Sequence, residues 1–286
     1  MRRLWQRLPV VVRAVVVGAV VNTAGEQPAG NLLFANLQMS PTIPWSVPLI
    51  VVWLWLFWQY FSGHWWPAST AGDRAEGFAA RPLSPRVWRW ALVAGGLAMT
   101  SIAALHLVLS PITPPTYKVF YNFFLRMPFP TLVLVVITLS AVAGIVEEAA
   151  FRGYMQGAIE RQHGPVVAIA VTTFFFVLMH FGGFQAMSAP RTLLIAVVSV
   201  MYGVLRHLTG SILPGMILHS VGDALSVLLL WFYWAYGTIG TRLPGFAAAS
   251  RSPVFWLSVV EMFVFSAASV WAFRKLATIS RLSQTA

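Results

Sequence analysis

The sequence predicts an all-α protein, a polytopic transmembrane helical bundle of about eight spans. Of its 286 residues, 58% are hydrophobic and 9% are charged, and the mean hydropathy is +0.73. This composition is too apolar for a water-soluble fold. Apolar stretches recur along the chain, and each has about the 20 residues that a helix needs to cross a hydrocarbon core roughly 30 Å thick.

Eight apolar stretches define the predicted spans. They cover residues 9–24, 43–62, 87–110, 130–155, 164–183, 190–208, 211–235 and 253–275. Turn-forming residues separate them, as at His163-Gly164-Pro165. The first stretch resembles a secretory signal peptide, but Arg13 interrupts it and no clear cleavage site follows. It is therefore predicted to be a retained helix.

The basic residues predict the orientation of these spans, because short cytoplasmic loops are enriched in arginine and lysine. If the N-terminus is inside, fourteen of the 19 arginine and lysine residues fall on the inner side. Both termini are therefore predicted to be cytoplasmic. The arginines lie in short clusters beside apolar runs, so the net charge of +11 indicates membrane topology and no nucleic-acid partner.

The fourth predicted span contains three charged residues, Glu147, Glu148 and Arg152. A charge at the centre of a span costs about 2.5–3.5 kcal/mol on insertion scales, so each one needs a partner or a purpose. Glu148 and Arg152 are i, i+4 neighbours and can pair along one helical face. Glu147 points about 100° away from Glu148 and is left for another partner.

Two histidines and a further acid lie in later spans. His180 is in the fifth span, and His219 shares one face of the seventh span with Asp223. A hairpin turn at Gly164 places Glu147 and His180 at the same depth. His219 lies only about eight residues past the turn at Gly210-Ser211, but the polar stretch from Gln156 to His163 is expected to protrude from the membrane by about two turns. At 1.5 Å per residue, all three residues then lie on the order of 12 Å below the cytoplasmic surface. One site can therefore contain all three.

A carboxylate beside two imidazoles can activate a water molecule. The carboxylate deprotonates the water directly as a general base, or the side chains share a metal ion that lowers the pKa of the water. Such a water is the nucleophile of a hydrolase. The chain has no cysteine, so thiolate catalysis, disulfides and cysteine-ligated zinc are excluded.

The order and spacing of three motifs resemble those of the CAAX prenyl protease and bacteriocin-processing family of intramembrane proteases, also called CPBP or Abi. The motifs are Glu147-Glu148-x-x-x-Arg152, Phe176-x-x-x-His180 and His219-x-x-x-Asp223. The resemblance implies a helical bundle around a water-accessible polar cavity, in which Glu147 activates water for peptide-bond hydrolysis. It also implies that His180 and His219 orient this water, or that they bind a divalent metal such as zinc together with Glu147.

Asp223 departs from the pattern of CAAX-processing relatives, which often carry asparagine at this position. An asparagine amide can donate a hydrogen bond to an oxyanion, whereas an ionised aspartate cannot. Asp223 is therefore expected to orient His219 or to bind the metal. This difference argues against a prenylated protein as the substrate more than it argues against the family's fold.

Two other functions compete with the protease. Glutamate, histidine and arginine in spans also form the relays of proton-coupled secondary transporters, but the sequence shows no convincing repeat of the kind found in such transporters. A non-catalytic bacteriocin-immunity or partner-binding membrane protein would keep the fold and tolerate loss of Glu147 or His180, and both are present. The sequence favours an endopeptidase whose substrate is a membrane-associated protein or peptide.

The resemblance divides the chain into three parts. Residues 1–125 are N-terminal transmembrane helices and loops, residues 126–235 are the catalytic helical core, and residues 236–286 are a C-terminal transmembrane helix and tail. The segment from Ser110 to Pro130, rich in proline and aromatic residues, is predicted to shape substrate access. Seventeen arginines against two lysines suggest a GC-rich genome and hence a multi-pass protein of a bacterial cell membrane.

Overall fold

The computed structural model describes residues 2–113, 127–182, 188–236 and 245–284. It is 87% helical and has no strand among the described residues, in agreement with the predicted all-α bundle. Residues 114–126, most of the predicted substrate-access segment, lie outside the described residues.

The described residues form eleven α-helices. In chain order they are α1 (Arg2–Arg7), α2 (Val10–Met39), α3 (Ser46–Phe61), α4 (Ala71–Phe78), α5 (Pro85–Leu109), α6 (Phe129–Glu147), α7 (Gly157–Met179), α8 (Ala189–Thr209), α9 (Leu213–Tyr236), α10 (Phe246–Ala249) and α11 (Pro253–Gln284). A π-helical segment, Glu148–Gln156, joins α6 directly to α7. Such segments are rare and often lie at functional sites.

Five helical stretches among the described residues are long and apolar enough to cross a membrane, and α3 and residues 213–229 are shorter apolar helices. The stretch Phe129–Met179 corresponds to the fourth and fifth predicted spans. These are two helices and not one, because Gly164 breaks the helical geometry with φ 76° and ψ 171°. This left-handed φ favours glycine. The chain reverses there, and the rings of Phe151 and Phe176 lie 5.1 Å apart across the hairpin. The cytoplasmic position of the termini stays a prediction.

The first span differs most from its predicted boundaries, since α2 continues to Met39 instead of ending at residue 24. A stripe of mostly small and polar residues is buried along one face of α2: Ala14, Gly18, Val21, Asn22, Gly25, Ala29 and Asn36. This face packs against α6 and the π-helical segment. Tertiary packing therefore extends the helix through polar sequence that its apolar content alone does not favour.

Close approach of α6 and α9 brings the motif residues together. A Cβ at Gly144 would lie 2.8 Å from the carbonyl oxygen of Met216, and a Cβ at Gly215 would lie 2.7 Å from Oε2 of Glu148. Small residues allow helix backbones to approach in this way inside a membrane. Glu147 and Glu148 are thereby held against α9.

A second helix pair, α5 and α11, lies beside this bundle. Ser101 donates to the carbonyl oxygen of Met262 at 3.0 Å and is bonded to the hydroxyl of Ser266 at 2.7 Å. Ser269 donates to the carbonyl oxygen of Ala94 at 3.2 Å. Only 11% of the apolar window of α11 is buried, so most of this helix is free to face lipid.

Candidate active site

The predicted ion pair between Glu148 and Arg152 is present and fully buried. Nη1 of Arg152 lies 3.2 Å from Oε1 of Glu148, and Nη2 donates to the hydroxyl and carbonyl oxygens of Ser199 at 3.0 and 3.2 Å. The guanidinium also lies 4.3 Å from the ring centre of Phe176 and 5.3 Å from that of Tyr202. Ionic, polar and cation–π contacts together hold the guanidinium of Arg152 in one orientation.

His219 lies between carboxylates from two helices. Its Nδ1 is 3.2 Å from Oε1 of Glu148, and its Nε2 is 3.8 Å from Oε2 of Glu147 and 3.5 Å from Oδ2 of Asp223. The ring is stacked on Tyr202, with ring centres 5.0 Å apart and planes 18° apart. The structure thus brings Glu147, Glu148, His219 and Asp223 into one cluster.

The contacts of His219 assign Glu148 a place that the sequence did not predict. The carboxylate of Glu148 bridges Arg152 and Nδ1 of His219, whereas the sequence predicts that Asp223 orients this imidazole. The side chain of Asp223 is 45% exposed and approaches Nε2 instead. With Nδ1–H donated to Glu148, Nε2 is the ring atom that faces Glu147 and Asp223.

His180 joins the cluster through Phe176. The rings of His180 and Phe176 are 4.8 Å apart, and Phe176 lies 6.3 Å from the ring of His219. Nδ1 of His180 is 2.7 Å from the carbonyl oxygen of Phe176. Because a carbonyl only accepts, this nitrogen carries the hydrogen, and Nε2 of the neutral ring has a lone pair to offer.

The predicted metal ligands do not form a metal site in this arrangement. Within the described ranges, no group of three or more histidine, aspartate or glutamate side chains is placed to hold a metal ion. Each imidazole of the predicted set, His180 and His219, has one nitrogen engaged by a protein acceptor, which is also the usual state of the second nitrogen of a metal-bound histidine. The three-ligand set of Glu147, His180 and His219 therefore stays a prediction.

The sequence failed to predict two further side chains at the site, Tyr202 and Glu26. Tyr202 stacks on His219, but an aromatic residue in an apolar span resembles ordinary core. Glu26 is close enough to His219 and Asp223 to interact with them electrostatically, but it lies beyond the predicted end of the first span. Its i, i+4 spacing from the polar residue Asn22 was the available signal.

Comparison with known proteins gives one match. Residues 128–225 match the model of the family described as Type II CAAX prenyl endopeptidase Rce1-like, and this range contains all six predicted catalytic residues. No curated protein and no solved structure matches the chain. Proteins of this family are hydrolases that act on peptide bonds. The chain is an integral membrane protein whose residues 128–225 match a CAAX protease family, and this match supports the family that its three motifs predicted.

Proposed function

We propose that this protein is an intramembrane endopeptidase in which Glu147 activates water to hydrolyse a peptide bond of a membrane-associated protein or peptide. One observation carries the proposal, the position of His219 between Glu147, Glu148 and Asp223. The cluster combines a carboxylate that can accept a proton with an imidazole whose orientation is fixed. It also lies within the residues that match a family of peptide-bond hydrolases.

The proposed reaction begins with a water molecule beside Glu147. The carboxylate of Glu147 takes a proton from the water as the water oxygen attacks the carbonyl carbon of the substrate. Nε2 of His180 accepts a hydrogen bond from the same water and orients it. The carbonyl oxygen gains a negative charge, and the carbon–nitrogen bond then breaks as Glu147 returns the proton to the leaving amine.

His219 is proposed to be an imidazolium, with a hydrogen on each ring nitrogen, and to stabilise the oxyanion through Nε2–H. A preorganised donor is effective because it need not reorient during the reaction. Two observations support this role: Nδ1 is tied to Glu148 at 3.2 Å, and the ring is stacked on Tyr202. Asp223, at 3.5 Å from Nε2, accepts this hydrogen in the resting site. Its ionised carboxylate thereby helps to orient the ring of His219.

The substrate class is proposed from the family match. The matched family's description names a CAAX prenyl endopeptidase, which favours a lipid-anchored protein cleaved near its C-terminus. Asp223, where many such relatives carry asparagine, makes a lipid-anchored substrate without a prenyl group the main alternative. A bacterial cell membrane as the location likewise stays a prediction from composition.

The decisive experiment compares new peptide termini in matched membranes that contain wild type or Glu147→Gln. We expect mass spectrometry to find termini with the wild type and at least about 100-fold fewer with the variant, because general-base catalysis contributes about 10²–10⁴-fold. Glu76→Gln is the matched control, since this exposed carboxylate pairs with Arg161 at 3.2 Å far from the cluster. The cleaved sequences also identify the substrate class.

Two results would contradict the proposal. Equal termini from wild type and Glu147→Gln, at equal expression, would show that Glu147 is not the base. The absence of cleavage by the wild type in several host membranes would contradict the proposal that this protein is a protease.

A further inference from the structure

We propose that a cavity at one end of the bundle binds the headgroup of a phospholipid that carries a primary ammonium group. The cavity lies between α2, α4, α7 and the π-helical segment, and its described lining includes none of the six predicted catalytic residues. Its volume of about 510 Å³ is within the range of about 300–1,000 Å³ that is usual for small-molecule sites. The inference goes beyond the proposed proteolysis and does not depend on it.

The charged side chains that line the cavity balance one another. Arg13 of α2 and Arg161 of α7 carry positive charges, and Asp73 and Glu76 of α4 carry negative charges. Arg161 and Glu76 are paired with each other at 3.2 Å, so Arg13 and Asp73 are the further charges of the lining, and they lie on different helices. A ligand that complements these walls has both a negative and a positive group, as a zwitterionic headgroup does.

Arg13 is the residue that we assign to the phosphate. Its Nε is buried and has no hydrogen-bond partner among the described residues, although most buried polar groups in proteins have one. A guanidinium presents five N–H donors in a planar fork that matches the oxygens of a phosphate. Asp73, exposed in the first turn of α4, is then the acceptor for the N–H groups of the ammonium.

The apolar part of the lining indicates a lipid and not a soluble phosphate ester. Val17 lines the cavity one turn beyond Arg13, on the same face of α2. Val16 and Val20 continue along this side of the span and are 42% and 62% exposed. Trp5, also in the lining, is of the residue type that lies at the headgroup level of membranes. A headgroup at Arg13 therefore leaves its acyl chains against the apolar surface of α2.

Contacts within the protein hold the α4 wall of the cavity in place. The hydroxyl of Tyr154 donates to the carbonyl oxygen of Arg74 at 2.9 Å, and a Cβ at Gly77 would collide with the ring of Tyr154. Nε of Arg74 donates in turn to the carbonyl oxygen of Tyr60 at 2.7 Å. These contacts fix α4, and with it the backbone of Asp73, before any lipid binds. Binding therefore requires little ordering of the chain.

The site is tested with the full-length protein, purified in detergent and depleted of lipid. Native mass spectrometry counts the molecules of phosphatidylethanolamine, phosphatidylcholine and phosphatidylglycerol that bind as each lipid is titrated. We expect one phosphatidylethanolamine to bind saturably, at least about 10-fold more tightly than the other two lipids, because a hydrogen bond to a charged group contributes about this factor. The trimethylated ammonium of phosphatidylcholine has no N–H donor, and phosphatidylglycerol has no cation.

Two variants test the assigned contacts. Arg13→Gln removes the cation, and we expect the affinity for phosphatidylethanolamine to fall at least about 10-fold. Asp73→Asn removes the negative acceptor, and we expect it to abolish the preference over phosphatidylcholine. Arg89→Gln is the matched control and should bind as the wild type does. Arg89 is also in the first two turns of a spanning helix and is exposed, but it does not line the cavity.

Several results would overturn the inference. Equal affinity for the three lipids would show that the cavity does not select a headgroup, and equal losses in Arg13→Gln and Arg89→Gln would show a general effect of charge. Displacement of the lipid by inorganic phosphate would assign the cavity to a soluble anion. An unchanged lipid preference in Asp73→Asn would also contradict the inference, and this exposed substitution keeps the test decisive if Arg13→Gln does not fold.

Discussion

Two helix pairs in this protein are held together by different chemistry. The π-helical segment meets α9 through buried charges, with Glu148 between Arg152 and His219. The helices α5 and α11 meet through apolar contacts, such as that of Trp90 with Trp271, and through hydroxyl groups, such as those of Ser101 and Ser266. Hydroxyl contacts between helices in a membrane contribute about 0.6 kcal/mol each, whereas buried charges carry a large desolvation penalty that their partners must offset. Apolar packing and hydroxyl contacts thus join α5 and α11, whereas the buried ion pair of Glu148 and Arg152 lies at the proposed site.

The strongest test of this contrast is Arg152→Met. It leaves Glu148 buried without its cation, so we expect the free energy of unfolding in detergent to fall by about 3–5 kcal/mol. Arg161→Met is the control, because its pair with Glu76 is more than half exposed, and such pairs contribute less than about 1 kcal/mol. Equal losses in the two variants would contradict the structural role of the buried pair.

A double variant sharpens the same test. Glu148→Leu combined with Arg152→Met removes both charges, and replacing a buried ion pair with apolar residues is often neutral for stability. We expect stability to recover relative to Arg152→Met while proteolysis stays lost, because His219 no longer has an acceptor at Nδ1. Recovery of activity together with stability would remove Glu148 from the proposed mechanism.

An intermediate effect is expected for Gly144→Ala. The added methyl group would meet the backbone of Met216 and Ser220, which cannot rotate away, and overpacking of this kind costs about 1–3 kcal/mol. We expect proteolysis to fall further than stability does, because α6 and α9 carry Glu147 and His219. Gly96→Ala should change neither quantity, since a Cβ there has nothing within 4 Å.

The smallest effect is expected for Ser101→Ala in the α5–α11 pair. It removes a hydrogen bond to Met262, so the free energy of unfolding should fall by about 0.6 kcal/mol and the rate of proteolysis should not change. A loss of proteolysis comparable to that of Gly144→Ala would show that this helix pair does more than support the bundle.

The sequence predicted those parts of the site that depend on local spacing. Glu148 and Arg152 pair because i, i+4 residues share a helical face. Nearly equal distances from Gly164, 17 residues for Glu147 and 16 for His180, place the two arms of a hairpin in register. The motif that contains His219 and Asp223 was likewise visible from spacing on one helix. Helical geometry and the position of one turn were therefore enough to predict these features.

The remaining features depend on contacts between distant parts of the chain. Glu26 lies in a polar stretch that hydropathy alone assigns to the solvent, and packing against α6 is what makes it helical. Tyr202 is an ordinary apolar residue until its ring meets His219. The bridge from Glu148 to His219 requires the close approach of α9 at Gly215, and no local pattern specifies this approach.

The polar face of α2 also bears on the order of events during membrane insertion. α2 is synthesised more than a hundred residues before Glu147, so Glu26 enters the bilayer long before α6 exists. The hydrogen bond from Asn22 to Glu26 is local and can form as soon as α2 is helical. The contact that orients Glu26 in the finished protein can therefore also shield its carboxyl group from lipid while the nascent chain awaits α6.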